Sequence, residues 1–217
     1  MKRIPLAIVF LLAPTTLMAQ QDGWVGQFFL GSAINAASPL TIRQNGYPDL
    51  NLTAHYTERP FYDAPYYSYR VGKWKGGRAW EIQEVHHKLY LNNPPPEVQN
   101  FNVSHGYNLI TLNRAWEQGG VIYRLGAGIV LTHPESTVRG QAFPNATGGP
   151  FNTGNFYLSG VTVQAGVEKR FVFRKHWFFS IEAMATASYA RSVPIANGSA
   201  DIPNMAVHGL FGIGRTW

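Results

Sequence analysis

Cysteine is absent from the 217 residues, charged side chains make up only 14% of them, and beyond the N-terminus no apolar run is long enough for a membrane-spanning helix. Each absence excludes something. Without cysteine a small secreted fold has no disulfide framework to make up for a thin core. The low charge contrasts with about 25% in ordinary soluble domains. The formal charge of +6 falls to +4 once Lys2 and Arg3 are set aside, and the remaining cations are scattered. No basic cluster of the kind that tracks a nucleic-acid backbone is present, so nucleic acid is not an expected partner. No ligand set with metal spacing stands out either, and neither a metal nor a cofactor is expected.

What is present begins with Met1-Lys2-Arg3, an apolar run from Ile4 to Ala13, and Leu17-Met18-Ala19 before polar Gln20. A basic start, a short apolar run and a small residue at the exit are the marks of a signal peptide, residues 1–19, leaving one domain from 20 to 217. Aromatic residues reach 14%. They fall on alternating positions, the period of a strand with one greasy face.

The last fourteen residues show this best. Trp217, Ile213, Phe211, Val207 and Met205 lie on one side, and Thr216, Gly214, Gly212, Leu210, His208 and Asn204 on the other. The same period predicts strands over Trp24–Ile34, Pro65–Trp74, Ala79–Leu91, Phe101–Trp116, Val121–Thr132, Phe156–Phe171 and Trp177–Arg191, with a short strand possible within Asp49–Thr57. Short turns such as Lys75-Gly76-Gly77-Arg78 and Glu117-Gln118-Gly119-Gly120 alternate with long polar stretches at Asn35–Ala64, Asn92–Asn100, His133–Asn155 and Ser192–Pro203. Eight strands with alternating connections predict an all-β, eight-stranded antiparallel transmembrane β-barrel, short turns in the periplasm and long loops outside.

This pattern, with the terminal aromatic, resembles the small eight-stranded bacterial outer-membrane barrels of the outer membrane protein A, X and W types. Gly212 and Trp217 match their C-terminal assembly signal, a glycine followed five residues later by a terminal aromatic, while Arg215 stands where that family places an apolar residue. The resemblance implies the outer membrane as location, a monomeric state, and periplasmic chaperones and the barrel assembly machinery as partners. Outer-membrane lipids and lipopolysaccharide are the further partners expected.

If the polar rows point inward, Arg70, Arg124 and Arg170 share the lumen with Glu81, Glu168 and Glu182. A barrel of this size has room only for side chains, so paired charges predict a plug rather than a pore. His87, His105 and Tyr107 are expected on the same inner wall, as hydrogen-bonded core groups.

The outer face of the third and fourth strands breaks the pattern. Pairing Leu91 with Phe101, and hence His87 with His105, puts Trp80 and Ile82 low on the wall, with Glu84, His86 and Lys88 above them beside Ser104, Gly106 and Asn108. Charged groups facing lipid at mid-depth cost about 2–4 kcal/mol, so their presence asks for a reason. One reading joins Glu84, His86 and Ser104 as carboxylate, base and nucleophile, flanked by Tyr67 and Tyr69. It resembles the lipid A deacylase barrels, whose outward Ser, His and Glu cleave an acyl ester. That family's His-x-Ser-Asn run is not kept, since Ser104-His105-Gly106-Tyr107-Asn108 has Tyr107 at the serine position. Three other readings stand beside it: a one-residue bulge that turns these groups inward, strands that project above the membrane, or lipid binding by Lys88, Tyr67 and Tyr69, with Lys88 on a phosphate. The expected function is therefore an envelope-structural or lipopolysaccharide-interacting barrel, with a lipid A acyl-ester hydrolase as the alternative.

Overall fold

The computed structural model describes residues 22–62, 65–143 and 155–217. The expected signal peptide lies outside them. Thirteen strands form one sheet: β1 (Gly23–Asn35), β2 (Ser38–Gln44), β3 (Leu50–Ala54), β4 (Tyr56–Thr57), β5 (Tyr67–Lys75), β6 (Arg78–Leu91), β7 (Val98–Gln118), β8 (Val121–Thr132), β9 (Glu135–Val138), β10 (Gln141–Phe143), β11 (Tyr157–Arg174), β12 (Trp177–Ile195) and β13 (Gly198–Thr216). Eight of these close a ring. Every pairing from β1 through β5, β6, β7, β8, β11, β12 and β13 is antiparallel, and β13 returns to β1 with Phe28 opposite Ile213 and Ile34 opposite Val207. The eight expected strands are these eight.

Three tight turns close one end of the ring. Gly76 and Gly77 (φ 57° and 69°), like Gly119 and Gly120 (φ 59° and 72°), supply the two successive left-handed residues that let a two-residue turn follow the strand twist. Alternation does the rest, sending small, polar and charged residues inward and apolar ones outward. On β12 the outward row from Trp177 to Tyr189, at about 3.3 Å per residue and tilted about 40°, rises roughly 30 Å, enough for the apolar belt of a bilayer. Its side chains stay uncovered by protein, as do those of Phe211, Val207, Leu125 and Val163 on neighbouring strands.

At the other end the wall continues upward. The β2–β3 hairpin pairs β2 with β13, Gln44 opposite Gly198 and Thr41 opposite Asp201. On the far side the β9–β10 hairpin pairs β9 with the start of β7, Phe101 opposite Ser136. Segments expected as loops are thus partly sheet. The stretch Ser192–Pro203 is a correction of the same kind, because β12 runs to Ile195 and β13 starts at Gly198, leaving Ala196 and Asn197 (φ 56°) as the turn.

The barrel interior is filled in three layers. Val25, Trp74, Ala79, Ala115, Ile122 and Phe178 form an apolar floor beside the tight turns. Charges occupy the middle. Above them Phe29, Leu40, Ile42, Tyr66, Leu89, Phe101, Tyr107 and Ile202 belong to one large apolar cluster that joins the barrel to its extension.

Candidate functional site

The middle layer brings together all six lumen charges expected from the strand rows. Arg70 on β5 meets Glu182 at 2.7 Å and Glu168 at 3.3 Å, with Glu81 at 3.7 Å. Arg124 on β8 reaches Glu81, Glu168 at 2.6 Å and Glu182 at 3.4 Å. Arg170 on β11 binds Glu168 at 2.9 Å while its guanidinium lies over the rings of Phe178 and Trp74. Three guanidiniums and three carboxylates neutralise one another in a space that holds all of them buried, which is the condition under which buried ions are tolerated.

Neutral polar groups missing from the expected cluster complete it. Gln27 donates to Glu168 and accepts from Arg70 and Arg170. Gln164 donates to Gln83 and Asn113, and Asn113 donates to Gln83. Their signal was available, since each occupies an inward position of the same alternation.

Higher in the lumen His87 is held between Glu58 (2.8 Å at Nδ1) and Asn35 (3.0 Å at Nε2), and His208 between Tyr66 and Thr186. His87 and Tyr107 share this inner wall as expected. His105 does not. At the top of β7 the ladder slips, so that His87 faces Tyr107 and Leu89 faces Val103, leaving Ser104, His105 and Gly106 to bulge opposite Lys88. Gly106 takes φ 130°, where side-chain-bearing residues rarely go, and its carbonyl accepts from the His133 amide. The pairing of Leu91 with Phe101 was therefore right in register above the bulge, and that of His87 with His105 was two residues off below it.

That slip decides the fate of the outer-wall triad. A two-residue shift preserves the faces, so Glu84 and His86 do point outward, opposite Tyr69 and Tyr67 of β5 and Ile110 and Asn108 of β7. Ser104, however, is drawn to the overhang, where its hydroxyl donates to Glu135 at 3.2 Å and His105 contacts the same carboxylate at 2.8 Å. His86 instead places Nδ1 2.8 Å from the Asn108 side-chain oxygen, and the ring of Tyr67 stacks on it at 4.8 Å and 5°. Glu84, His86 and Ser104 are not joined by hydrogen bonds. Beside Ser104, His133 lies past the end of β8. Burial, with help from the neighbouring His105, pushes its imidazole below the usual range against the pull of Glu135.

The expected lipid contacts divide. Tyr69 is open to the outside and Tyr67 stacks on both Tyr69 and Phe28. Lys88 is buried: its ammonium donates to the backbone carbonyls of Arg59 and, at 2.7 Å, Tyr62. Arg59 in turn lies over the rings of Tyr90 and Tyr62. The segment Glu58–Tyr62 thus straps the upper outer face of β6 and takes up the amine expected to meet a lipid phosphate.

Burial along this face shows where the wall is built up. Trp80 and Ile82 are 58% and 62% exposed, as lipid-facing residues of a bare barrel should be, whereas Glu84 and His86 on the same face are only 7% and 5% exposed. Glu84 Oε2 and His86 Nε2 have no hydrogen-bond partner. On the other side of the barrel, small Ala165, Ala183 and Ala185 leave a shallow apolar hollow of about 450 Å³ between Tyr123, Leu125, Val167 and Val207.

At the C-terminus, Gly212 sits against Phe28 and Phe29 of β1, where any Cβ would collide with them. The Trp217 amide donates to the Trp24 carbonyl at 2.8 Å, and Arg215 spreads over the Trp177 and Trp217 rings at the periplasmic rim. Both residues of the expected assembly signal therefore lie at the β13–β1 closure.

A closed ring with a lipid-facing apolar belt and a filled lumen is now in view. This is the fold of a small outer-membrane β-barrel. Among solved structures, the chain is similar to the outer membrane protein OprG from Pseudomonas aeruginosa (9% identity, 92% of this chain and 98% of that one, TM-score 0.45). It is also similar to the outer membrane protein AlkL (11%, 94% and 94%, 0.47) and to Neisserial surface protein A (12%, 90% and 98%, 0.41). No known family profile and no curated protein matches the sequence.

Proposed function

We propose that this outer-membrane barrel works at the membrane surface, engaging lipopolysaccharide and neighbouring lipids through its outer wall and extracellular extension, and not by passage through its lumen. The observation that carries this reading is the filling of the lumen on three levels, while Glu84 and His86 sit on the outward face of β6, covered by neighbouring protein. The mature charge of +4 suits an anionic leaflet, and the C-terminal Gly212 and Trp217 suit delivery by chaperones to the barrel assembly machinery.

A second reading, an acyl-ester hydrolase, is favoured by one feature only: His86 is oriented by Asn108 through one ring nitrogen, and its other nitrogen has no hydrogen-bond partner, although it is covered by protein. Against it, the expected nucleophile Ser104 is engaged by Glu135. Purified protein in planar bilayers is expected to give no steady conductance and to retain lipopolysaccharide through purification, and lipid A from expressing cells is expected to keep all its acyl chains by mass spectrometry. A stable open current would end the sealed-lumen reading. Loss of one acyl chain, abolished by His86→Asn, would replace binding by hydrolysis.

A further inference from the structure

All six tryptophans of the chain stand at the periplasmic end of the barrel, and cations are set among them. Residues paired across neighbouring strands share a face. On the outward face the ladder puts Arg174 opposite Trp177 and Trp177 opposite Arg215; further round, Trp24 stands opposite Lys73, Lys73 opposite Trp80, and Trp80 opposite Arg114. Cation and indole thus alternate across β11, β12 and β13 and again across β1, β5, β6 and β7. The Trp217 ring, lying against Gly26 of β1, fills the gap between the two runs. The contacts are direct. Lys73 lies 5.8 Å from the Trp24 ring centre, Arg114 5.4 Å from that of Trp80, and Arg215 5.4 Å and 5.5 Å from those of Trp177 and Trp217.

Lys75, Arg78 and Lys175 flank the tight turns and Lys169 donates to the Gly120 carbonyl at 2.9 Å, so eight cations stand at this rim. Among the described residues its only acidic side chains are Asp22 and Glu117, which accept from the turn amides of Gly76 at 2.8 Å and Gly120 at 3.0 Å. None of the eight cations forms an ion pair among the described residues. The extracellular end differs, with five described cations matched by five described acids. Cations scattered along the sequence are thus gathered by the fold at one rim. Trp80 lies two residues above the turn residue Arg78, a rise of about 5 Å at the strand tilt, the depth at which indoles sit and long cationic side chains reach phosphates. An indole against a guanidinium or ammonium takes up none of its N–H donors, so each cation can still bind a phosphate oxygen. A zwitterionic headgroup brings a competing cation of its own, and one of net negative charge does not. We infer that Lys73, Arg114, Arg174 and Arg215, set between tryptophans, form a belt that binds anionic phospholipid headgroups of the periplasmic leaflet. A soluble acidic partner suits them less, because they lie on the lipid-facing side of the strands.

The tryptophans themselves report the test, since every one of them is at this end and all but the lumen-facing Trp74 point outward. The barrel is folded into phosphatidylcholine vesicles containing, at equal mole fraction, phosphatidylglycerol or phosphatidylcholine brominated on an acyl chain, and quenching of tryptophan fluorescence is compared. Brominated phosphatidylglycerol is expected to associate about twofold to fivefold more strongly, the worth of one headgroup-level cation or less. That ratio should fall toward one in about 0.5 M salt, a measurement that needs no variant. It should fall likewise in the triple variant Lys73→Gln, Arg114→Gln and Arg215→Gln, which keeps every tryptophan, with folding checked by mobility on an unheated gel. The pair Arg59→Gln and Arg191→Gln, at the extracellular end, should leave it unchanged. Equal quenching by the two lipids in the wild-type protein overturns the belt and gives the rim to a soluble acidic partner. A preference that survives high salt or the folded triple variant, or that the extracellular pair removes, overturns it as well. The vesicles hold no lipopolysaccharide, so this outcome is independent of the lipopolysaccharide retention proposed above.

Discussion

The middle and the top of the lumen are filled by the same inner wall in opposite ways. In the middle, six ionised groups on five strands cancel one another, each carboxylate meeting at least one guanidinium within 3.3 Å, with amides closing the gaps. At the top, the work is done by Leu40, Ile42, Phe101, Tyr107 and Ile202, several of them on strands that exist only because hairpins extend the wall. The difference teaches what each layer depends on. A charge cluster is stable only as a set, since removal of one member strands the others in a low dielectric. An apolar layer loses stability in proportion to what is deleted, and it can loosen locally.

The largest expected effect therefore lies in the middle layer at Glu168, which alone contacts Arg70, Arg124 and Arg170 together. Glu168→Ala leaves three guanidiniums for two carboxylates and should lower barrel stability by about 3–5 kcal/mol. Urea unfolding from liposomes, followed by tryptophan fluorescence, reads this as a shift of the midpoint. A loss under 1 kcal/mol would mean that the cluster is solvated and that the layer does not act as a unit. No current is expected to open in this variant, because the apolar layers above and below remain.

A smaller and more local effect is expected at the top. Ile42 is fully buried in β2, a strand held by β13 on one side and β3 on the other. Ile42→Ala should cost about 2–5 kcal/mol of packing. Because β2 is outside the ring, the loss should appear as faster amide exchange in β2, β3 and residues 198–201 of β13, with the exchange of β11 and lower β12 unchanged. If the whole barrel lost protection equally, the two layers would be one cooperative unit and the comparison would fail.

The same division explains what could be read from the sequence. The ring strands carry long two-residue alternations, so the faces of Arg70, Glu81, Arg124, Glu168, Arg170 and Glu182 followed directly, and the structure brings all six together. The top layer was hidden in short strands. β3 falls within the short strand expected at Asp49–Thr57, but β10 is too brief to establish a period, and β9 is set off from β8 by His133 and Pro134. At the β12–β13 turn the two central residues are Ala196 and Asn197, not the Asn-Gly pair of the common hairpin signal, so the stretch Ser192–Pro203 carried no clear mark of a tight turn. The bulge at Ser104–Gly106 left no mark except Gly106 itself. It kept the faces of Glu84 and His86 while breaking their link to Ser104. Strand faces survive an even slip of register, and contacts between particular side chains do not.

The smallest effect belongs to the exposed rim where the extension joins the barrel. Burial there pushes the Asp201 carboxyl upward, but the Ser192 amide at 2.9 Å and the Arg43 guanidinium at 2.9 Å outweigh it, and Asp201 sits below the ordinary aspartate range. A lowered folded value means that the ionised form is the one favoured by folding. Its contribution is complete above the unfolded value near 3.8 and is lost as the pH falls through the lower folded value. The pair is largely solvated, so the consequence should be confined to the rim. The Ser192 amide proton is the local reporter, since it donates directly to Asp201. Its chemical shift is expected to titrate with a midpoint below 3.8, and Arg43→Ala should move that midpoint upward without altering the resonances of the charged middle layer. A midpoint at or above the ordinary value in the wild-type protein would show that the β2–β13 junction is open in solution, and with it the upper layer that the junction encloses.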